Sequence, residues 1–191
     1  MTPDEINSEA AAIWLREHRE RLVANLLVNR PAEMTAPGDL GPDLSDWAER
    51  LAAGSKQNAI LAGPVGTGKT WAVWKAAEQA VRCGYEGQVV ITAAARLRRI
   101  VAPATADPRE FERYLAAGLL AIDDLATVRL SEWDMDHLGE LIDTRWAAQL
   151  PTVVTSNKTD LKSLLGPRIS SRLSHNALIV PMDGPDRRRQ S

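Results

Sequence analysis

The sequence predicts a parallel α/β sheet flanked by helices. Three observations carry that expectation. Five short apolar runs, at residues 59–62, 88–91, 119–124, 152–155 and 177–180, alternate with helix-length stretches. That alternation builds parallel sheets through helical crossovers. The first run leads into GPVGTGKT, residues 63–70, which fits G-x-x-x-x-G-K-[ST] at every fixed position. The third run ends in Asp123-Asp124, and the carboxyl ends of strands in an open α/β sheet face the ligand crevice.

The loop has the residue types that a phosphate cradle needs. Gly63, Gly66 and Gly68 can take backbone angles closed to other residues, so successive N–H groups can turn inward. Pro64, Val65 and Thr67 complete the loop, and Trp71, directly behind it, is counted with the nucleotide-binding residues. Lys69 supplies a mobile cation for β- and γ-phosphates, and the Thr70 hydroxyl can ligate Mg²⁺. A helix that starts near Lys69 and continues from Trp71 to residue 82 would aim the positive end of its dipole at the same phosphates. Asp123 follows apolar residues, where a carboxylate can hold the water shell of Mg²⁺ beside Thr70. Asp124 can orient an attacking water. ATP and Mg²⁺ are therefore the expected cofactors.

The remaining elements follow in order. Residues 4–29 read as a helix with two apolar groups, Ile6, Ala10, Ile13 and Trp14, then Leu22, Val23, Leu26 and Leu27. The charged run 16–21 divides them. Such a helix either packs on its own domain or docks on a partner protein. Residues 30–43 hold three prolines and two glycines and read as a linker. Ser45 is expected to cap a helix over 46–53, stopped by Gly54. The expected organisation is an arm (1–30), a linker with a short helix (31–57) and an ATPase core (58–191).

Beyond the second strand, Thr92 is expected to cap a helix over 93–100. That helix carries Arg96, Arg98 and Arg99, either as solvated charges or as contacts to DNA phosphates. Asp107, with Pro108 behind it, opens the next helix, and Gly118 stops it. Ser131 opens a helix to about residue 149. His137 reads as a surface residue of that helix, and Arg145 as a cation serving the dipole at its end. The fourth strand ends in Ser156-Asn157, and Asn157 can reach a γ-phosphate or its water. Two helical pieces, 161–165 and 167–173, are divided by Gly166 and carry Arg168 and Arg172. A polar tail begins at Asp183.

Composition narrows the class. The 191 residues are 45% hydrophobic and 25% charged, as in a globular protein with a full core. The net charge of −2 gives no global basic field, although a local basic groove remains open. The single cysteine, Cys83, excludes an intrachain disulfide and a cysteine-rich zinc site, and it fits a reducing cytoplasm. No apolar run approaches membrane-spanning length, so no membrane role is expected.

The motif string resembles the AAA+ ATPases, and within them the DnaC/IstB-type group of helicase loaders and transposition helpers from bacteria and phage. The matching residues are GPVGTGKT, LLAIDDL at 119–125, SEW…LIDTRW…LPTVVTSN over 131–157, GPRISSRL at 166–173 and GPDRR at 184–188. The resemblance implies an ASCE-type P-loop NTPase: a three-layer sandwich with strand order 5-1-4-3-2 and no helical lid domain after the fifth strand. It implies that Asn157 is the sensor-1 residue and Arg172 an arginine finger acting on a neighbouring subunit, with Arg168 in reserve. It places Arg96, Arg98 and Arg99 where helicase loaders carry a DNA-contacting insertion. The implied activity is ATP hydrolysis, weak in an isolated subunit. The implied partners are a DnaB-type replicative helicase, single-stranded DNA and further copies of the chain, assembled by ATP. An IstB-like transposition helper shares every one of these motifs. A nucleotide-binding helicase inhibitor without turnover is the third reading. The arm is shorter than in many members of the group, which leans toward the loader.

Overall fold

The structure, a computed structural model, describes residues 3–127 and 129–184. Most of the expected polar tail lies outside the described residues. Strands β1 (Asn58–Ala62), β2 (Val89–Ala93), β3 (Leu119–Asp123), β4 (Thr152–Ser156) and β5 (Ala177–Pro181) form one five-stranded sheet in the order β2-β3-β4-β1-β5. Every neighbouring pair is parallel. This is the strand order implied by the resemblance.

Helices cover both faces, so the strands are apolar on both sides. Side chains of a strand alternate between faces, and the two cores divide accordingly. Ala59, Leu61, Leu119, Ala121 and Val153 face helices α2 (Pro42–Ala52) and α3 (Lys69–Arg82). Ile60, Leu120, Ile122 and Val154 face the opposite layer. That layer holds α4 (Ala94–Val101), α5 (Pro108–Ala116), α6 (Glu132–Ala147) and α7 (Leu161–Ser174). Ala72, Ala76, Ala77 and Ala80 give α3 a flat buried side against the sheet. The inner strand β4 is buried at all five positions, whereas the edge strand β5 leaves Ile179 exposed. Among the described residues, β5 is the last regular element, and no helix is long and apolar enough to cross a membrane.

Local sequence chemistry sets most of the helix ends. Asp107 accepts from the Glu110 N–H, with Pro108 in the first turn of α5. Ser131 and Asp134 close a reciprocal capping box at the start of α6. Gly166, at φ 74°, breaks α7 into the two expected pieces. Two expected caps are displaced. α2 begins at Pro42, ahead of Ser45, because the proline ring is preorganised for a first helical position. The Ser45 hydroxyl instead accepts from Gln79 Nε2 of α3 at 2.6 Å. Thr92 does not cap α4. It continues β2 opposite Ile122, and its hydroxyl pairs with the Tyr114 hydroxyl at 2.9 Å. Ladder pairing with β3 outweighs a local cap there.

Helix α1 (Pro3–Leu27) and the segment after it are tied to α3. Val23 is buried and Leu26 packs on the α2/α3 core, whereas Ile13 and Trp14 are exposed. Arg30 pairs with Glu78 of α3 at 2.9 Å, almost out of solvent. Burial pushes the Glu78 carboxyl up, but Arg82, Lys75 and Arg30 outweigh this and hold it below the usual carboxylate range. Trp71 Nε1 donates to the Ala36 carbonyl at 2.8 Å. Gly38 lies on the same indole, where a Cβ would come within 2.8 Å of the ring. Residues 35–41 have no regular structure, yet these contacts fix the segment as a strap across α3.

Arg145 has a different role from the one its position suggests. Its side chain is fully buried. Nη1 donates to the carbonyls of Tyr114 (2.9 Å) and Ala117 (2.7 Å), Nη2 to that of Pro151 (2.8 Å), and Nε to Thr152 Oγ1 (3.0 Å). The end of α6 is closed without it, by the Ala148 N–H on Thr144. Arg145 therefore serves the carboxyl end of α5 and the entry of β4: the Tyr114 and Ala117 carbonyls depend on it, and the Pro151 carbonyl shares it with the Leu120 N–H at 3.3 Å. Burial pulls its guanidinium down to about 10, so it still carries its charge at neutral pH. Arg145→Met keeps the bulk and removes every donor. The abandoned carbonyls should cost about 3–5 kcal/mol in total, at roughly 1–3 kcal/mol for each unsatisfied buried group. Urea denaturation should show a lower midpoint with an unchanged slope. A loss under about 1 kcal/mol would mean that water replaces the guanidinium.

Candidate functional site

The phosphate-loop motif connects β1 to α3 at the carboxyl edge of the sheet. Gly66 (φ 83°) and Gly68 (φ 92°) adopt left-handed backbone, as the loop requires of glycine. Gly63 is needed for another reason. A Cβ there would lie 2.1 Å from the Met182 carbonyl oxygen. The chain leaving β5 crosses the loop at this point, held by the Met182 N–H on Ala62 (2.7 Å). The Gly63 N–H itself donates to Ser156 at 3.1 Å and fastens the loop to the end of β4. Thr67 is buried and donates to Pro64. Val65 is exposed at the tip. The Lys69 ammonium is buried and donates to the Gly63 and Pro64 carbonyls, both at 2.7 Å. The Trp71 side chain is not part of the cradle: it turns away to hold the strap.

Asp123, the last residue of β3, reaches across to the start of α3. Its Oδ2 accepts from the Thr70 hydroxyl at 2.8 Å. Its Oδ1 accepts from the Thr155 hydroxyl of β4 at 2.6 Å. Thr155 Oγ1 in turn accepts from the Asp124 N–H at 2.9 Å. One carboxylate is thereby fixed by groups from α3 and β4. Asp124 takes left-handed backbone (φ 60°) and starts the turn that Thr127 closes onto its carbonyl. Asn157 follows β4, one residue beyond the Ser156 that binds Gly63. Among the described residues, its buried Oδ1 has no hydrogen-bond partner.

These residues suit a nucleotide and a hard cation. The Thr70 and Asp123 oxygens at 2.8 Å form a two-oxygen donor set. Mg²⁺ takes one or two protein oxygens and completes its shell with phosphate and water. Among the described residues, no cluster of three or more metal-ligating side chains offers a rival centre. The loop glycines lie at the same edge of the sheet, and Asn157 follows the Ser156 that fastens the loop there.

The arginines lie elsewhere. Arg172 and Arg168 are on α7. Asn58, the first residue of β1, donates to the Arg172 and Leu173 carbonyls at 3.3 and 3.1 Å. Arg172 therefore sits at the amino edge of the sheet, the length of β1 away from its own phosphate loop. Arg172 Nε lies 2.8 Å from Asp143 Oδ1 of α6, and its guanidinium stacks over Trp146 at 4.6 Å. Arg168 pairs with Asp143 Oδ2. On α4, Arg96 pairs with Glu110 (3.3 Å) and Arg98 with Asp134 (3.5 Å), and Arg99 is exposed. All three lie on the exposed side of the helix that leaves the carboxyl end of β2.

Two contributors escaped the sequence reading. Thr155 carried a faint signal, as a polar residue inside an otherwise apolar strand. Asp143 carried none, because its partners lie a helix away.

A family model described as IstB-like ATP binding protein matches residues 45–191. No curated protein matches the chain. Several solved structures share the fold. The crystal structure of DnaI is 24% identical with a TM-score of 0.68, over 83% of this chain and 94% of that one. The DnaC helicase loader is 18% identical with a TM-score of 0.61, over 78% and 93%. A protein from Streptococcus pyogenes serotype M3 is 21% identical with a TM-score of 0.63, over 76% and 78%. At these identities the likeness speaks to fold alone. The family match covers most of the chain, including the phosphate loop and Asp123: this chain belongs to the IstB-like ATP-binding proteins.

Proposed function

We propose that the protein is an ATP-driven switch that hydrolyses ATP at the junction between two copies of itself. One observation carries the reading: the phosphate and metal residues gather at one edge of the sheet, and the candidate fingers lie at the other. A chain built this way holds half a site at each end, and stacking copies head to tail joins them. Lys69 and the loop amides bind the β- and γ-phosphates. Thr70 and Asp123 hold Mg²⁺, which when bound neutralises phosphate charge. Thr155 fixes the Asp123 carboxylate so that it need not reorganise. Asp124 and Asn157 orient the attacking water, and Arg172 of the next copy, with Arg168 in reserve, meets the developing charge on the γ-phosphoryl group.

For the partner, the family description favours an IstB-like transposition helper over a loader of a DnaB-type helicase. The loader is kept as the second reading because α1 leaves Ile13 and Trp14 exposed on a short arm. Both readings call for single- or double-stranded DNA near Arg96, Arg98 and Arg99 and for a cytoplasmic location. Affinity capture with ATP and Mg²⁺ present separates them. Recovery of a transposase is the expected outcome; recovery of a replicative helicase instead would reverse the order.

Binding and chemistry should come apart by mutation. Lys69→Ala should abolish or greatly weaken ATP binding in calorimetry. Asp124→Asn should bind ATP normally and slow hydrolysis by about 10²-fold or more, because Asp123 and Thr70 stay in place. Wild-type turnover in Asp124→Asn would reduce Asp124 to a turn residue.

The trans arrangement has its own test. Arg172→Ala should bind ATP yet lose about 10³–10⁵ in rate, the usual worth of an arginine finger. Mixing it with Lys69→Ala, which has a dead loop but an intact finger, should restore part of the activity. A mixture that stays inactive while wild type assembles would remove Arg172 from the site and move the same test to Arg168.

A further inference from the structure

We infer that Asp143 and Trp146 of α6 are positioning residues for the Arg172 finger, an inference that rests on the trans reading above. Two arginines share one carboxylate: Arg172 Nε at 2.8 Å from Oδ1, and Arg168 Nη2 on Oδ2. The Arg172 side chain is largely shielded, with 27% of it exposed, whereas that of Arg168 is 73% exposed. The Trp146 ring supports the Arg172 guanidinium from its face at 4.6 Å. Trp146 is itself set edge-on to His175, with ring centroids 6.3 Å apart.

The geometry separates the two arginines. Asp143 meets Arg172 through Nε, as an ion pair without the alignment of a hydrogen bond. Among the described residues, no hydrogen bond engages the terminal nitrogens of Arg172, and its ion pair with Asp143 is made through Nε. A guanidinium binds a phosphoryl group best through two parallel N–H bonds. Arg172 is thus held by its stem side and by one face, with its terminal edge left for an incoming oxyanion. Arg168 spends a terminal nitrogen on Asp143 instead. A long, flexible side chain otherwise surrenders rotamer freedom on reaching a transition state. Asp143 and Trp146 have it ordered beforehand.

The test titrates finger donors against a fixed amount of Arg172→Ala, which keeps a working loop and lacks the finger. The reference donor is Lys69→Ala. The test donors add Asp143→Asn, Asp143→Glu or Trp146→Ala to it. The readout is ATP hydrolysis at saturating ATP, as plateau and midpoint of the titration, with melting curves for every donor. The Asp143→Asn donor should reach a plateau at least about tenfold lower at a similar midpoint, because misplacing a transition-state group costs rate. Asp143→Glu should recover part of the loss. Trp146→Ala replaces a half-exposed ring, so it should fold like the reference and also give a lower plateau. Equal plateaus for all donors would overturn the inference. A shifted midpoint with an unchanged plateau would also overturn it, since that marks an assembly contact. A reference donor that restores nothing removes the trans finger itself, and the inference with it.

Discussion

The Asp123 carboxylate is the contact on which the arrangement of the site depends. It is the last residue of β3, yet its oxygens take hydroxyl donors from α3 and β4. Three elements distant in sequence must end at one level for this to happen. The parallel sheet guarantees it, because all strands run the same way and their carboxyl ends share an edge. The Gly63 bond to Ser156 fixes the loop at the same level. A shift of one residue between β3 and β4 would turn Thr155 to the opposite face and leave Asp123 without one of its donors.

The opposite edge of the sheet is secured by different chemistry. Among the described residues, Arg145 is a buried cation without a carboxylate partner, and carbonyl dipoles satisfy it. Tyr114 and Leu115 belong to the last turn of α5, where the helix dipole is negative, so the charge is partly compensated. This arrangement braces the layer that contains α6. The same helix, two residues before Arg145 and one after it, carries Asp143 and Trp146. The rigidity supplied by Arg145 is therefore passed to the residues that hold Arg172. Fold stability and the placement of Arg172 share a single helix turn.

The α1 side of the molecule shows how a proline- and glycine-rich segment can be ordered without secondary structure. Trp71 follows the phosphate-loop motif directly, but its indole serves the strap through Ala36 and Gly38. The Arg30–Glu78 pair anchors the start of the strap to α3. Any movement of α3 that follows nucleotide binding would reach α1 through these contacts. The exposed apolar residues of α1, Ile13 and Trp14, lie at the far end of that connection.

By itself, the sequence determined the strands, their parallel sense and the chemistry of the phosphate loop. Each of those follows from local pattern: apolar runs, glycine spacing, a proline or serine at a helix start. It also placed Asp123, because a carboxylate closing an apolar strand beside such a loop has few other uses. Tertiary structure decided what depends on distant partners. Thr155 matters because β4 lies between β1 and β3, and Thr92 stays in the sheet because β3 pairs with it. Gly63 is glycine because Met182 crosses it, a close approach that no local rule contains. Arg145 reads as a helix-end cation in sequence, and only packing reveals that the end it serves belongs to another helix. Hydrogen-bond partners separated by tens of residues leave no periodicity or spacing to read, so the sequence could name the chemistry of this site without naming the groups that hold it still.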